Sequence, residues 1–283
     1  MPTAILHDGA AIEFEAHGDG PAVLLPVNPA PAADDERAAT MRAWGADPDL
    51  GHRLATGLAA DFRVVAFDYE GHVLAAPKPA TLTPDNVAAD FLAVADAAGA
   101  DRFAWYGYSW LAMLGLQLAI RTRRLTALVM GGYPPLDGPY EAMLTVTAAT
   151  HRQAVQARDA PPAPAGEAVP GDWESAQVTM APEQAAQFLT LYQALRGFDD
   201  REAQQEVSCP RLCFAGSADV IRYGASGDGA TVDIAGPLLR RRADIEESGW
   251  DVHVLDGLDH LGAMQACQVL PIIHPWLRAR LAG

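Results

Sequence analysis

Ser109, Asp219 and His260 have the residue types and the chain order needed for nucleophilic acyl transfer. Ser109 stands in "WYGYSWLAML", Asp219 closes "CFAGSAD" and His260 lies in "VLDGLDHLGAM". A serine hydroxyl is a weak nucleophile by itself. It needs a base to take its proton, and the base needs a third group to hold its tautomer and stabilise its positive form. Ser109 divides a strand-like run, "RFAWYGY", from a mostly apolar helix-like run over 110 to 121. A sharp turn there lifts the hydroxyl to the helix N-terminus, where the dipole favours a developing negative charge. Each residue also has an ordinary reading: Ser109 as a helix cap, Asp219 as a turn residue, His260 as a structural histidine. Asp137, after the preceding strand, is the alternative acid, and Asp256 and Asp259 are close to the histidine in sequence. His72, in "EGH", reads as structural.

The elements that must position these residues alternate short apolar runs with longer amphipathic ones, the pattern of a mainly parallel sheet with helices on both faces. Residues 3 to 16 suggest a hairpin turning at Asp8-Gly9, followed by the strand "AVLLPV", a helix within 40 to 60 and the strand "FRVVAFDY". Thr83 then Pro84 gives the N-cap and N1 arrangement of a helix running to Ala98, with Gly99 ending it. "LTALVMGG", "RLCFAGSAD" and "DVHVLDG" read as further strands, and a last helix spans about Gln265 to Leu281. The strand ends carrying Asp219 and His260 belong at the same carboxyl edge as Ser109. Between 133 and 205 the alternation breaks into helical stretches at 139 to 157 and 182 to 196 around "DAPPAPAGEAVPGD", a flexible connection by composition. Phe188, Leu191, Tyr192 and Leu195 form one apolar helix face, either packed on the core or serving as the underside of a lid.

The 283 residues are half apolar with 25 glycines and 21 prolines, which fits an ordered globular enzyme. A formal net charge of -16 disfavours nucleic acid and anionic membrane surfaces as partners. The arginine runs 121 to 124 and 240 to 242 read as solvated helix ends. Cys209, Cys213 and Cys267 have neither CxxC nor zinc-ligand spacing, so no disulfide framework or metal site is expected. With no basic leader and no apolar run of membrane length, the expected location is the cytoplasm.

The ordered Ser, Asp, His set, with "FDYEGH" after one strand and "GYSW" at the turn, resembles the α/β-hydrolase superfamily, especially its lidded esterase and peptidase-like group. The resemblance covers nearly the whole chain. It implies an α/β-hydrolase core in two parts, 1-132 and 206-283, with a helical cap or lid inserted at 133-205. It also implies Ser109 as nucleophile, Asp219 as acid and His260 as base. The superfamily usually has arginine where Glu70 stands and a second glycine where Val73 stands. Its elbow, G-x-S-x-G, keeps Gly107 here but has Leu111 in place of the last glycine, and its His-Gly after the buried strand is replaced by "PVNP" at 26 to 29. The oxyanion hole implied by the resemblance takes one amide from Trp110 and one from that loop. Pro26 and Pro29 have no N–H, which leaves Val27 or Asn28. Asn28 is preferred for its amide side chain and tolerance of left-handed backbone, against the alternative that it only forms an Asx turn.

The expected function is hydrolysis of an ester, thioester or amide of a small, mostly apolar molecule through an acyl-enzyme, without metal or organic cofactor. A serine at the elbow argues against epoxide hydrolysis and dehalogenation, which need an aspartate nucleophile in this fold. C-C hydrolysis, lactone opening and lyase chemistry use the same triad, and a hydrolase-like binding protein with attenuated turnover is the alternative from another class. Tyr108, Tyr133, Trp173 and Leu261, with Trp110, are candidates for the substrate pocket. A small molecule is the expected partner, with a homodimer left open.

Overall fold

The computed structural model describes residues 1–159 and 169–281. Residues 160–168, the greater part of the proline-rich connection expected over 159–172, lie outside them. The chain opens with a hairpin of β1 (Thr3–Ile5) and β2 (Ala11–Glu13), which pair only with each other. Its loop places Gly9 at φ +84° and bonds the Ala10 N–H to the Asp8 carboxylate at 3.1 Å. β3 (Glu15–His17) and β4 (Ala22–Leu25) then enter the main sheet.

The helix expected within 40 to 60 is two helices, α1 (Glu36–Ala43) and α2 (Leu50–Leu58). Gly45, at φ +83°, and Pro48 interrupt the run, as a left-handed residue and a missing donor must. β5 (Arg63–Ala66) is shorter than "FRVVAFDY" because Asp68 caps α3 (Tyr69–Ala75), accepting from the Gly71 N–H at 2.8 Å. α4 (Pro84–Ala97) begins at Thr83 and Pro84 as its sequence dictates. There follow β6 (Phe103–Tyr108), α5 (Trp110–Ala119) and β7 (Leu125–Gly131). The next segment holds α6 (Tyr140–Asp159), α7 (Pro182–Ala194) and the short α8 (Asp200–Ala203).

β8 (Arg211–Gly216) resumes the sheet. After it come a small hairpin of β9 (Val220–Arg222) and β10 (Thr231–Asp233), two short helices, α9 (Ala235–Arg240) and α10 (Arg242–Glu247), and β11 (Trp250–Leu255). α11 (His260–Ala263) and α12 (Ala266–Leu281) end the fold. The seven-stranded sheet runs β11-β8-β7-β6-β4-β5-β3, with every neighbouring pair parallel except β3 with β5.

Both faces of this sheet are covered. Along β6, Phe103 and Trp105 join one core cluster with α4 and α5, while Ala104 and Tyr106 join another with α2 and α12. Burial on both faces is why the strand reads as a continuous apolar run instead of an alternating one. Burying a large side chain such as Trp105 or Phe103 contributes about 1.5 to 3 kcal/mol, so these layers fix where the strand ends sit.

Candidate active site

Ser109 connects β6 to α5 with φ +57° and ψ -129°, a backbone conformation that a residue with a Cβ rarely adopts. Strain of this kind costs of order 1 to 3 kcal/mol and persists because the surroundings over-determine it. Those surroundings are identifiable. The Ser109 N–H donates to the Gly131 carbonyl at the end of β7, 2.8 Å away, and its own carbonyl accepts from Ala112 and Met113. Gly107 lets α5 approach, since a Cβ there would come within 2.4 Å of the Leu111 carbonyl oxygen. That same carbonyl accepts the Trp105 indole N–H at 3.3 Å.

Two loops at the same sheet edge bring the partners. The Ser109 hydroxyl lies 3.1 Å from His260 Nε2, and His260 Nδ1 lies 2.9 Å and 3.1 Å from the two Asp219 carboxylate oxygens. An ionised carboxylate only accepts, so Nδ1 carries its proton toward Asp219 and Nε2 is left to accept from the serine. Asp219 is fully buried; that burial pushes its carboxyl up, and hydrogen bonding to His260 pulls it back down. The loops are stitched together at the backbone: Ser217 N–H donates to the Leu255 carbonyl, Ala218 N–H to that of Leu258, and the Asp219 carbonyl accepts from Ile234 and Ala235. Gly216 is required there, because a Cβ would come within 2.0 Å of the Leu258 oxygen.

The other acidic candidates have separate partners. Asp137 sits at φ +54° and pairs with Arg241 at 3.1 Å; Asp256 accepts from the Ser217 hydroxyl, and Asp259 caps α11 through the Gly262 N–H. His72 lies in α3, where burial lowers its pKa and the charges of Lys78, Asp8, Asp90 and Asp68 act on its ring.

Ser109 and His260 open onto a cavity of about 150 Å³ walled by Tyr133, Pro139, Met143, Trp173, Tyr192, Ile221, Tyr223, Val232 and Ile234. Tyr133 and Trp173 are therefore cavity residues. Tyr108 and Leu261 are not among its walls. Alternation along β6 turns Tyr108 to the opposite face of the sheet, against Phe214, and its hydroxyl donates to the His260 carbonyl at 2.7 Å. Leu261, half-buried in α11, uses its carbonyl to accept from the Gln265 side chain. Sequence reasoning missed the β9–β10 wall. Ile221 and Tyr223, then Val232 and Ile234, alternate on either side of "GASGDGA", a hairpin signal that was available.

No protein-family model and no curated protein sequence matches the chain. Solved structures do match over its full length. A thermophilic esterase from Thermogutta terrifontis is 19% identical with a TM-score of 0.61, covering 99% of this chain and 98% of that one. An enol-lactonase from Burkholderia xenovorans LB400 is 16% identical with a TM-score of 0.59, covering 100% of both chains. An epoxide hydrolase of the alpha/beta hydrolases superfamily, from metagenomes of hot environments, is 14% identical with a TM-score of 0.56, covering 99% and 98%. The chain has the α/β-hydrolase fold.

Within this α/β-hydrolase fold, the two departures in sequence have local explanations. Leu111 is 5% exposed and packs into the core cluster shared with α4, while the close approach to β6 is made by its backbone at Gly107. In "PVNP", the Val27 N–H already donates to the Leu25 carbonyl at 2.9 Å. Asn28 makes the Asx turn: its side-chain oxygen accepts from the Ala30 N–H at 3.0 Å, so that oxygen is engaged locally. Trp110 is the first residue of α5, where an N–H has no intrahelical acceptor. Its indole packs edge-on to Phe188 of α7 at 5.2 Å and beside the Glu70 carboxylate, outside the cavity wall. Among the described residues, no helix is long and apolar enough to cross a membrane.

Proposed function

We propose that the chain is a serine hydrolase that cleaves an ester, thioester or amide of a small, mostly apolar substrate through an acyl-enzyme. The observation that supports this reading is the continuous contact from Ser109 through His260 to buried Asp219, opening onto a cavity of about 150 Å³. Ser109 attacks the carbonyl carbon as His260 Nε2 takes its proton. Asp219 stabilises the imidazolium that forms. His260 then gives the proton to the leaving group, and an activated water repeats the sequence to release the acid.

The developing oxyanion is held by the N–H of Trp110 and the N–H of Asn28, since Val27 is already engaged. α6 and α7 act as the lid. Met143 of α6 and Tyr192 of α7 reach the cavity from that side, and the walls they complete limit the acyl part to a compact group. Lactone opening is the same chemistry with a tethered leaving group, and the full-length likeness to an enol-lactonase favours including cyclic esters among substrates to be tried.

A fluorophosphonate probe tests the reading. Mass spectrometry of the labelled protein is expected to place one adduct on Ser109, and Ser109→Ala to take no label. An adduct on Ser217, or none on a folded wild-type protein, would overturn the assignment.

A further inference from the structure

Most of the cavity beside Ser109 and His260 is backed by the core. Tyr133, Tyr192, Ile221, Val232 and Ile234 line it, are 2 to 6% exposed and belong to the main core cluster, so shortening one of them would enlarge the cavity from within. Trp173 lines the same cavity but is only half-buried, and its chain neighbours Asp172 and Glu174 are exposed. Part of its indole therefore faces the cavity and part faces solvent. Pro139, Met143 and Tyr223 are also half-buried, yet each belongs to or adjoins a regular element, α6 or β9. Trp173 stands in 169 to 180, where there is neither helix nor strand.

Three segments meet at this indole. Residues 169 to 176 turn on themselves, with the Asp172 N–H donating to the Val169 carbonyl at 3.0 Å and the Ala176 N–H to that of Trp173 at 3.3 Å. Trp44, at the end of α1, sets its ring 5.6 Å from that of Trp173 at 60°, and Tyr223, just after β9, sets its own 6.2 Å away at 57°. Both supports are anchored. The Gln265 side chain donates to the Gly45 carbonyl at 3.0 Å and to the Leu261 carbonyl at 2.7 Å, which ties the Trp44 turn to the helix that begins at His260. Gly224, next to Tyr223, packs so closely on the Trp173 segment that a Cβ there would come within 2.1 Å of the Glu174 carbonyl oxygen. Large flat rings in mutual contact make a stiff wall. Removing the indole joins the cavity to solvent on this side, whereas removing a core-backed wall does not.

Volume sets what a closed end excludes. An apolar cavity of about 150 Å³ takes one benzene-sized group. An acyl group of about six carbons has that bulk, and one of about ten carbons needs a way out. We propose that Trp173 sets the length of the acyl group, closing the solvent end of the cavity so that acyl groups of about six carbons are taken and longer chains refused, which rests on the hydrolase reading above and names the residue that limits its substrates.

The ratio of kcat/KM for p-nitrophenyl hexanoate to that for the decanoate reads this limit. Wild type should prefer the hexanoate by at least about tenfold, and Trp173→Ala should bring the ratio to about 1 by raising kcat/KM for the decanoate. Trp173→Leu, which keeps an apolar side chain on the segment, should shift the ratio the same way and serves if the alanine variant does not fold. A wild-type ratio of about 1 or less, or the wild-type ratio in the folded variant, overturns the proposal. So does an equal shift in Ile221→Ala, which enlarges the cavity from the core side, because then no particular wall sets the limit. If wild type turns over neither ester, the hydrolase reading fails by itself. Calorimetry on Ser109→Ala with methyl hexanoate and methyl decanoate then decides: tighter hexanoate binding that is lost when Trp173→Ala is added upholds Trp173 as the limit, and a preference that is absent or unchanged overturns it.

Discussion

The hydroxyl of Tyr108, the residue immediately before Ser109, donates to the backbone carbonyl of His260 at 2.7 Å, and the two rings lie 5.1 Å apart. The elbow and the histidine loop are thus tied directly to each other on the side of the sheet away from the cavity. Gly131 and Gly132 make room for this tie, since a Cβ on either would come within 2.6 Å of the Tyr108 ring.

Tyr108→Phe keeps the ring and removes the tie. Turnover of a good ester is expected to fall several-fold with KM little changed, because the cavity wall is untouched while His260 loses a constraint on its approach to Ser109. Stability should fall by about 1 kcal/mol. Steady-state kinetics checks this; a rise in KM at constant kcat would place Tyr108 in substrate binding instead.

Asp219→Asn should lower kcat by at least about two orders of magnitude with the fold intact, since the amide can present its N–H to Nδ1 and favour the wrong histidine tautomer. Asp137→Asn should leave turnover near wild type, because Asp137 pairs with Arg241 and Arg201 on the surface. Parallel assays with circular dichroism decide between them, and the reverse ranking would move the acid to the end of β7.

Leu111→Gly should cost on the order of 2 to 4 kcal/mol, combining a core cavity with a glycine inside a helix. Ester turnover should not rise. Gly107→Ala should also destabilise, by about 1 to 3 kcal/mol, because its new methyl group meets the backbone oxygen of Leu111 and α5 must move. Thermal melts and a short-chain nitrophenyl ester assay measure both. A Leu111→Gly protein that is more active than wild type would mean the leucine obstructs the elbow.

Burial pushes the Asp200 carboxyl from 3.8 up to about 6, against the backbone N–H bonds from Gly138 and Asp137 that lower it. Between those two values the native state holds more protons than the unfolded one. The contribution of Asp200 to stability is therefore fully present below pH 3.8 and is lost as pH rises through about 6. Asp200→Asn keeps an acceptor oxygen and cannot ionise. Its stability relative to wild type should rise between about pH 4 and pH 7.5, by a few kcal/mol at most. Denaturant melts across that range are the check, and a pH-independent difference would show that Asp200 titrates normally.

The chain by itself determined what depends on near neighbours. The apolar run of β6 followed directly by α5 put Ser109 at a strand-to-helix turn, Thr83 with Pro84 started α4, and the strand ends carrying Asp219 and His260 followed in order. Caps, turns and periodicity act over a few residues, so they are written locally. Gly45 and Pro48 were equally legible as the break between α1 and α2, although the helical pattern around them ran on. Only the tertiary structure decided which acid faces the histidine, that Tyr108 turns from the cavity to grip the histidine loop, and that β9 and β10 wall the cavity. These outcomes depend on sheet order, on which face a side chain takes and on contacts between residues 41 to 152 apart along the chain, where no local pattern records the distance.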